Sequence, residues 1–86
     1  MSHHPTNFQG SVTEAIAASI KEKIADAVVE VTGQGGHYSI TVTSQAFAGK
    51  SMVESQRLVY SAITPLMSGD MAPVHAVDSL KTRVFD

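Results

Sequence analysis

Eighty-six residues without a cysteine make one domain, and they exclude disulfide frameworks, thiolate zinc sites and Cys nucleophiles. Six Lys and Arg against eight Asp and Glu leave a formal charge of −2, short of the basic surplus that generic phosphate-backbone binding draws on. The 43% apolar content supports a packed core, the 6% aromatic content leaves few stacking platforms for single-stranded bases, and no apolar run could span a bilayer.

Residues 1–10, MSHHPTNFQG, read as a flexible tail ahead of a single domain over 11–86. The tail has no charged segment followed by an apolar one, so no secretory signal is read there and a cytoplasmic location is expected. His3 and His4 are not taken as a metal site. Ser11 and Glu14 have capping-box spacing. Val12, Ile16, Ile20 and Ile24 then recur every four residues, with Lys21, Glu22 and Lys23 outward, which predicts a helix over 12–26. The β-branched run 28–32 leads into four residues, 33–36, of which three are glycine. In 37–43, Tyr38, Ile40 and Val42 alternate with polar residues, the pattern of a half-buried strand. The two strands are expected to form an antiparallel hairpin.

Ser51 and Glu54 repeat the capping-box spacing and open a helical segment over 51–68. Its apolar positions are Met52, Val53, Val59, Tyr60, Ile63, Leu66 and Met67, and Pro65 predicts a kink or a division into two short helices. Ser68, Gly69 and Asp70 stop it. Residues 74–77 and 80–85 read as a last strand with an irregularity at Asp78 and Ser79. The order αββα(α)β predicts an α+β fold with helices on one face of a three-stranded sheet. A helical crossover makes the second and third strands parallel. His37 and His75 then start neighbouring strands at one sheet edge, beside the glycines.

Two converging imidazoles suit zinc, copper or iron but do not close a site, so a metal there would need ligands from elsewhere. The plainer reading is one strand-edge histidine and one partly buried histidine held by a backbone hydrogen bond. Asp78, close to His75 in sequence, is the carboxylate placed to orient an imidazole. Glu14, Glu22, Asp26 and Glu54 are read as helix faces and caps. Gly49-Lys50-Ser51 resembles the end of a phosphate loop, but the position five before Gly49 is Ser44 and the loop is incomplete. The G-x-x-G letters at 33–36 lie between strands, away from the helix-flanked position that clamps nucleotides. No serine sits in a nucleophile motif. Lys50, Arg57, Lys81 and Arg83 are candidates for a modest basic patch.

The run from Phe47 through Gly49, Lys50, Ser51, Met52, Val53, Glu54, Arg57, Leu58 and Val59 to Tyr60 resembles the signature of the BolA family. Gly36-His37-Tyr38, Val74-His75-Ala76 and Lys81-Thr82 extend the resemblance over about residues 13–82. It implies an αββααβ fold like class II KH domains, with a three-stranded mixed sheet. It also implies an adaptor, not an enzyme. Such a protein pairs with a monothiol glutaredoxin and shares a 2Fe–2S cluster with it, in cluster trafficking or iron homeostasis. Glutaredoxin and glutathione supply thiolates. His75 matches the adaptor's histidine ligand, and His37 is the candidate second ligand, because Gln34 stands where many relatives carry cysteine. Alone, the chain is expected to be a monomer or weak homodimer with no membrane partner. The alternative is a KH-like nucleic-acid-binding transcriptional regulator using Lys50, Arg57, Lys81 and Arg83. Ser55-Gln56 depart from the family's common Arg-His, and the last strand is one residue longer than usual, which predicts a β-bulge.

Overall fold

Helix α1 spans Val12–Lys23 and buries Val12, Ile16 and Ile20, with Lys21, Glu22 and Lys23 exposed as the four-residue repeat requires. It ends three residues before the expected Asp26. The Ile24 amide still donates to the Ile20 carbonyl, but a turn closed from the Ala27 amide to the Ile24 carbonyl follows. Asp26 has left the helix, and its carboxylate accepts from the Ser44 hydroxyl and from the Gln45 amide at 3.0 Å. Short polar side chains favour such local acceptor roles over helix interiors. The computed structural model describes residues 12–69 and 72–86; the expected tail, Ser11's half of the first capping box and the stop at Asp70 lie outside them.

Strands β1 (Val28–Gln34) and β2 (His37–Thr43) form the antiparallel hairpin. β1 runs two residues further than the expected 28–32, and only Gly35 and Gly36 make the turn, with φ of +66° and +87°. Positive φ at both central residues is what a two-residue hairpin demands if its twist is to follow the strands. A single turn of 3-10 helix, Gln45–Phe47, follows, then helix α2 (Met52–Met67) and strand β3 (Ala76–Arg83). The sheet order is β1-β2-β3, with β3 parallel to β2.

Helix α2 is one continuous helix, so the division into two short helices does not hold, nor do a start at 51 and an end at 68, since Ser51 and Ser68 are its caps. The additional helical element of the order is the 3-10 turn ahead of it. Pro65 is exposed and close to the C-terminus, so the lost amide bond falls where water replaces it. Thr64 and Ser68 hydroxyls donate to the carbonyls of Tyr60 and Thr64 in the same stretch, at 2.8 and 2.9 Å. Met52, Val53 and Tyr60 are exposed rather than core, and Ser55 and Ala62 are buried in their place. Val59 and Ile63 join Phe47, Val74, the α1 stripe and Tyr38, Ile40 and Val42 in the core. Both helices thus cover one sheet face. The other face is polar and carries rows such as Glu30, Thr41 and Lys81.

Strand β3 starts at Ala76, not Val74, and ends at Arg83, not Phe85. Val74 is fully buried, and its amide donates to the Leu66 carbonyl, which ties the approach to the end of α2. Tyr38 pairs with Val77 and Ser39 with Ser79, so Asp78 is the extra, unpaired residue of the expected bulge.

Candidate functional site

The hairpin turn positions the start of β3. The Gly36 carbonyl accepts from the amides of both His75 and Ala76, at 2.8 and 2.9 Å. The His75 ring lies against the Gly36 backbone, so closely that a Cβ at position 36 would overlap the ring, with Cγ at 2.9 Å. Glycine is therefore required at 36 for φ and for space. His37 follows in sequence and pairs with Ala76. The two histidines stand at one sheet edge as the sequence implies, and both are exposed. His75 precedes β3 instead of lying within it, and it is not the partly buried histidine of the plainer reading.

Asp78 meets His37, not His75. Its Oδ1 is 3.2 Å from His37 Nδ1, and both side chains are more than half exposed, at 57% and 60%. The cause is the bulge: the unpaired residue departs from the alternation of β3 and brings the carboxylate to the side chain one strand over.

Among the described residues, no group of three or more His, Cys, Asp or Glu converges on a point that could hold a metal. What the edge offers is two imidazoles, a donor type that suits iron and leaves coordination positions to be filled by others. Imidazole donors of this kind would suit one side of a shared centre.

Two of the four basic residues share a groove. Lys81 and Arg83 line a groove of about 270 Å³ between α2 and β3, with Met52, Gln56, Leu80 and Thr82. Gln56 crosses its floor to donate to the Leu80 carbonyl at 3.2 Å. Lys50 and Arg57 are exposed outside that lining. The Gly49-Lys50-Ser51 segment is a turn and cap: Ser51 Oγ accepts from the Glu54 amide, and Glu54 accepts from the Ser51 amide.

Sequence reasoning missed Gly36 as the support of His75, Asp26 as the anchor of the 3-10 turn and Gln56 as a donor to the Leu80 carbonyl of β3. The signal for Gly36 was its place immediately before the polar–apolar alternation. The Ser44 hydroxyl first, and then the Gln45 amide, hold the Asp26 carboxyl below the usual carboxylate range.

A family model described as BolA-like protein matches residues 6–84. BolA-like protein 1 of Mus musculus is 30% identical over 78 residues, which cover 79% of this chain and 55% of the mouse protein, so the chain spans about half that relative's length. The structure of a BolA protein homologue from Coxiella burnetii matches with a TM-score of 0.70 at 32% identity, over 84% of this chain and 88% of that one. A bol-like protein from Babesia bovis matches with a TM-score of 0.68 at 26% identity, over 84% of this chain and 83% of that one.

Proposed function

Because the chain belongs to the BolA family, we propose that it is an adaptor that binds a monothiol glutaredoxin and co-ligates a 2Fe–2S cluster with it. The setting is cytoplasmic cluster trafficking or iron homeostasis, and the cluster is cargo. The observation that carries this reading is the sheet edge where exposed His75, strapped to the Gly36 carbonyl, and exposed His37 stand at the starts of neighbouring strands, with no three-ligand group among the described residues. An adaptor needs such a half-site, and the thiolates come from glutaredoxin and glutathione. The chain's own part is to hold two imidazoles on backbone that packing has already fixed, so that binding orders little new structure. No membrane role is implied, and no helix among the described residues is long and apolar enough to cross one.

The test is an anaerobic titration of cluster-loaded monothiol glutaredoxin, with glutathione, by wild-type chain and by His75→Ala. Visible absorption and circular dichroism should change up to one-to-one stoichiometry with the wild type and stay unchanged with the variant. Far-ultraviolet circular dichroism checks that the variant is folded. An unchanged spectrum with wild-type chain overturns the reading. Imidazole in place of thiolate raises a cluster's potential and makes its retention sensitive to protons. The shared complex is therefore expected to titrate at a higher potential than the glutaredoxin homodimer's cluster, and equal potentials would contradict histidine ligation.

The alternative, a nucleic-acid-binding regulator, rests on the groove that Lys81 and Arg83 line. The net charge of −2 and the placement of the glycines in a strand hairpin weigh against it. A gel shift at physiological salt is expected to show no retained complex.

A further inference from the structure

Asp78 is the residue of β3 with no partner on β2, and the bulge sets its carboxylate 3.2 Å from His37 Nδ1. An ionised carboxylate only accepts hydrogen bonds, so the contact puts the proton of a neutral imidazole on Nδ1. A neutral imidazole free in water prefers the opposite arrangement, with its proton on Nε2 and its lone pair on Nδ1. The partner of one ring nitrogen decides which nitrogen is left to bind a metal. Nε2 is the ring nitrogen farther from the backbone, on a side chain that is 60% exposed, and it is the atom a partner's metal centre can reach.

We propose that Asp78 is a positioning residue for His37: it holds the ring as the Nδ1–H tautomer and so presents the Nε2 lone pair to a metal centre shared with a partner. The proposal rests on the adaptor reading for the identity of the metal, whereas the tautomer belongs to the chain alone. It assigns a use to the additional residue of the last strand, because without the bulge no carboxylate of β3 would stand at His37.

The experiment is a long-range proton–nitrogen correlation spectrum of the uniformly nitrogen-15-labelled apo chain at about pH 9, where imidazoles are neutral. In the wild type, His37 Nε2 should resonate as the unprotonated nitrogen and Nδ1 as the protonated one. Asp78→Ala should exchange the two assignments, and Asp78→Asn, whose carbonyl still accepts, should keep the wild-type order. His75 is the internal reference and should not move. The backbone amides of Ser39 and Ser79 report whether the bulge survives; if alanine disturbs it, the wild-type assignment decides, because a protonated Nε2 there is the arrangement of an imidazole with no acceptor at Nδ1. A protonated Nε2 on wild-type His37, or the same order in Asp78→Ala with the bulge intact, overturns the proposal. In the glutaredoxin titration, Asp78→Ala should weaken cluster sharing by about 10-fold, the usual scale for loss of a ligand's orienting partner. A cluster spectrum indifferent to His37→Ala overturns the ligand half of the proposal. An unchanged glutaredoxin spectrum with wild-type chain defeats the adaptor reading instead, and the tautomer result stands apart from it.

Discussion

Gly36 carries three duties at once: it completes the hairpin turn, its carbonyl accepts from the amides of His75 and Ala76, and its missing side chain makes room for the His75 ring. Gly35 shares only the first, since nothing lies within 4 Å of a Cβ built there. Gly36→Ala is therefore expected to cost about 2–3 kcal/mol and to displace His75, whereas Gly35→Ala costs about 1 kcal/mol from φ alone. Urea unfolding of the two variants, with the His75 ring followed by proton NMR, separates these terms. Asp26 makes a second prediction. The Ser44 hydroxyl and Gln45 amide bind its carboxylate and depress its folded pKa. Its contribution is then full above the unfolded value and fades as pH falls through the folded one. The stability gap between wild type and Asp26→Asn should be flat near neutrality and close below about pH 4. A gap that persists in acid would show that the carboxylate's charge is not what holds the turn.

At the scale of elements, local patterns were legible in the sequence wherever one face of an element alone decides its form. The α1 stripe and the β2 alternation each record a single buried face, and both elements follow them. Boundaries set by another part of the chain were not legible. α1 stops early because Asp26 is engaged by Ser44, eighteen residues later. β1 runs on through Gly33 because β2 pairs with it there, opposite Tyr38. Continuity of α2 through Pro65 depends on that turn being exposed, which composition does not reveal. The α2 capping box is wholly local and was read directly; Ser51→Ala is expected to cost about 1 kcal/mol, and Glu54→Ala less, measured by thermal unfolding. Asp78 is the instructive miss. Its nearness to His75 in sequence pointed to the wrong imidazole, because the parallel register and the bulge together send it to His37.

Across the whole molecule, the histidine edge and the basic groove occupy opposite ends of β3. Ala76 and Thr82 are six residues apart along the strand, about 20 Å at the usual rise. The edge proposed for the cluster and the basic groove are thus separate surfaces. Charge reversal at both Lys81 and Arg83 is expected to leave the cluster spectrum of the glutaredoxin complex unchanged, and a loss of spectral change would place the partner across the groove as well. Sequence alone placed both histidines at one edge, because the α–β order and the parallel crossover suffice for that. It did not place the four basic residues, whose grouping depends on which flank of α2 meets β3.

The twin hydrogen bonds to the Gly36 carbonyl have a consequence for the order of folding. They join the hairpin to the residues that follow α2, so they close only after that long crossover has been laid down, the kind of non-local contact that forms slowly. The hairpin can assemble early from neighbours in sequence, yet the second imidazole arrives only with the last strand. A chain that is still incomplete, or that has opened locally at β3, has one histidine at the edge instead of two. The amides of His75 and Ala76 should then show the same protection in native-state hydrogen exchange, since one opening frees both. Competence to hold cargo would thereby be withheld from every state short of the finished fold.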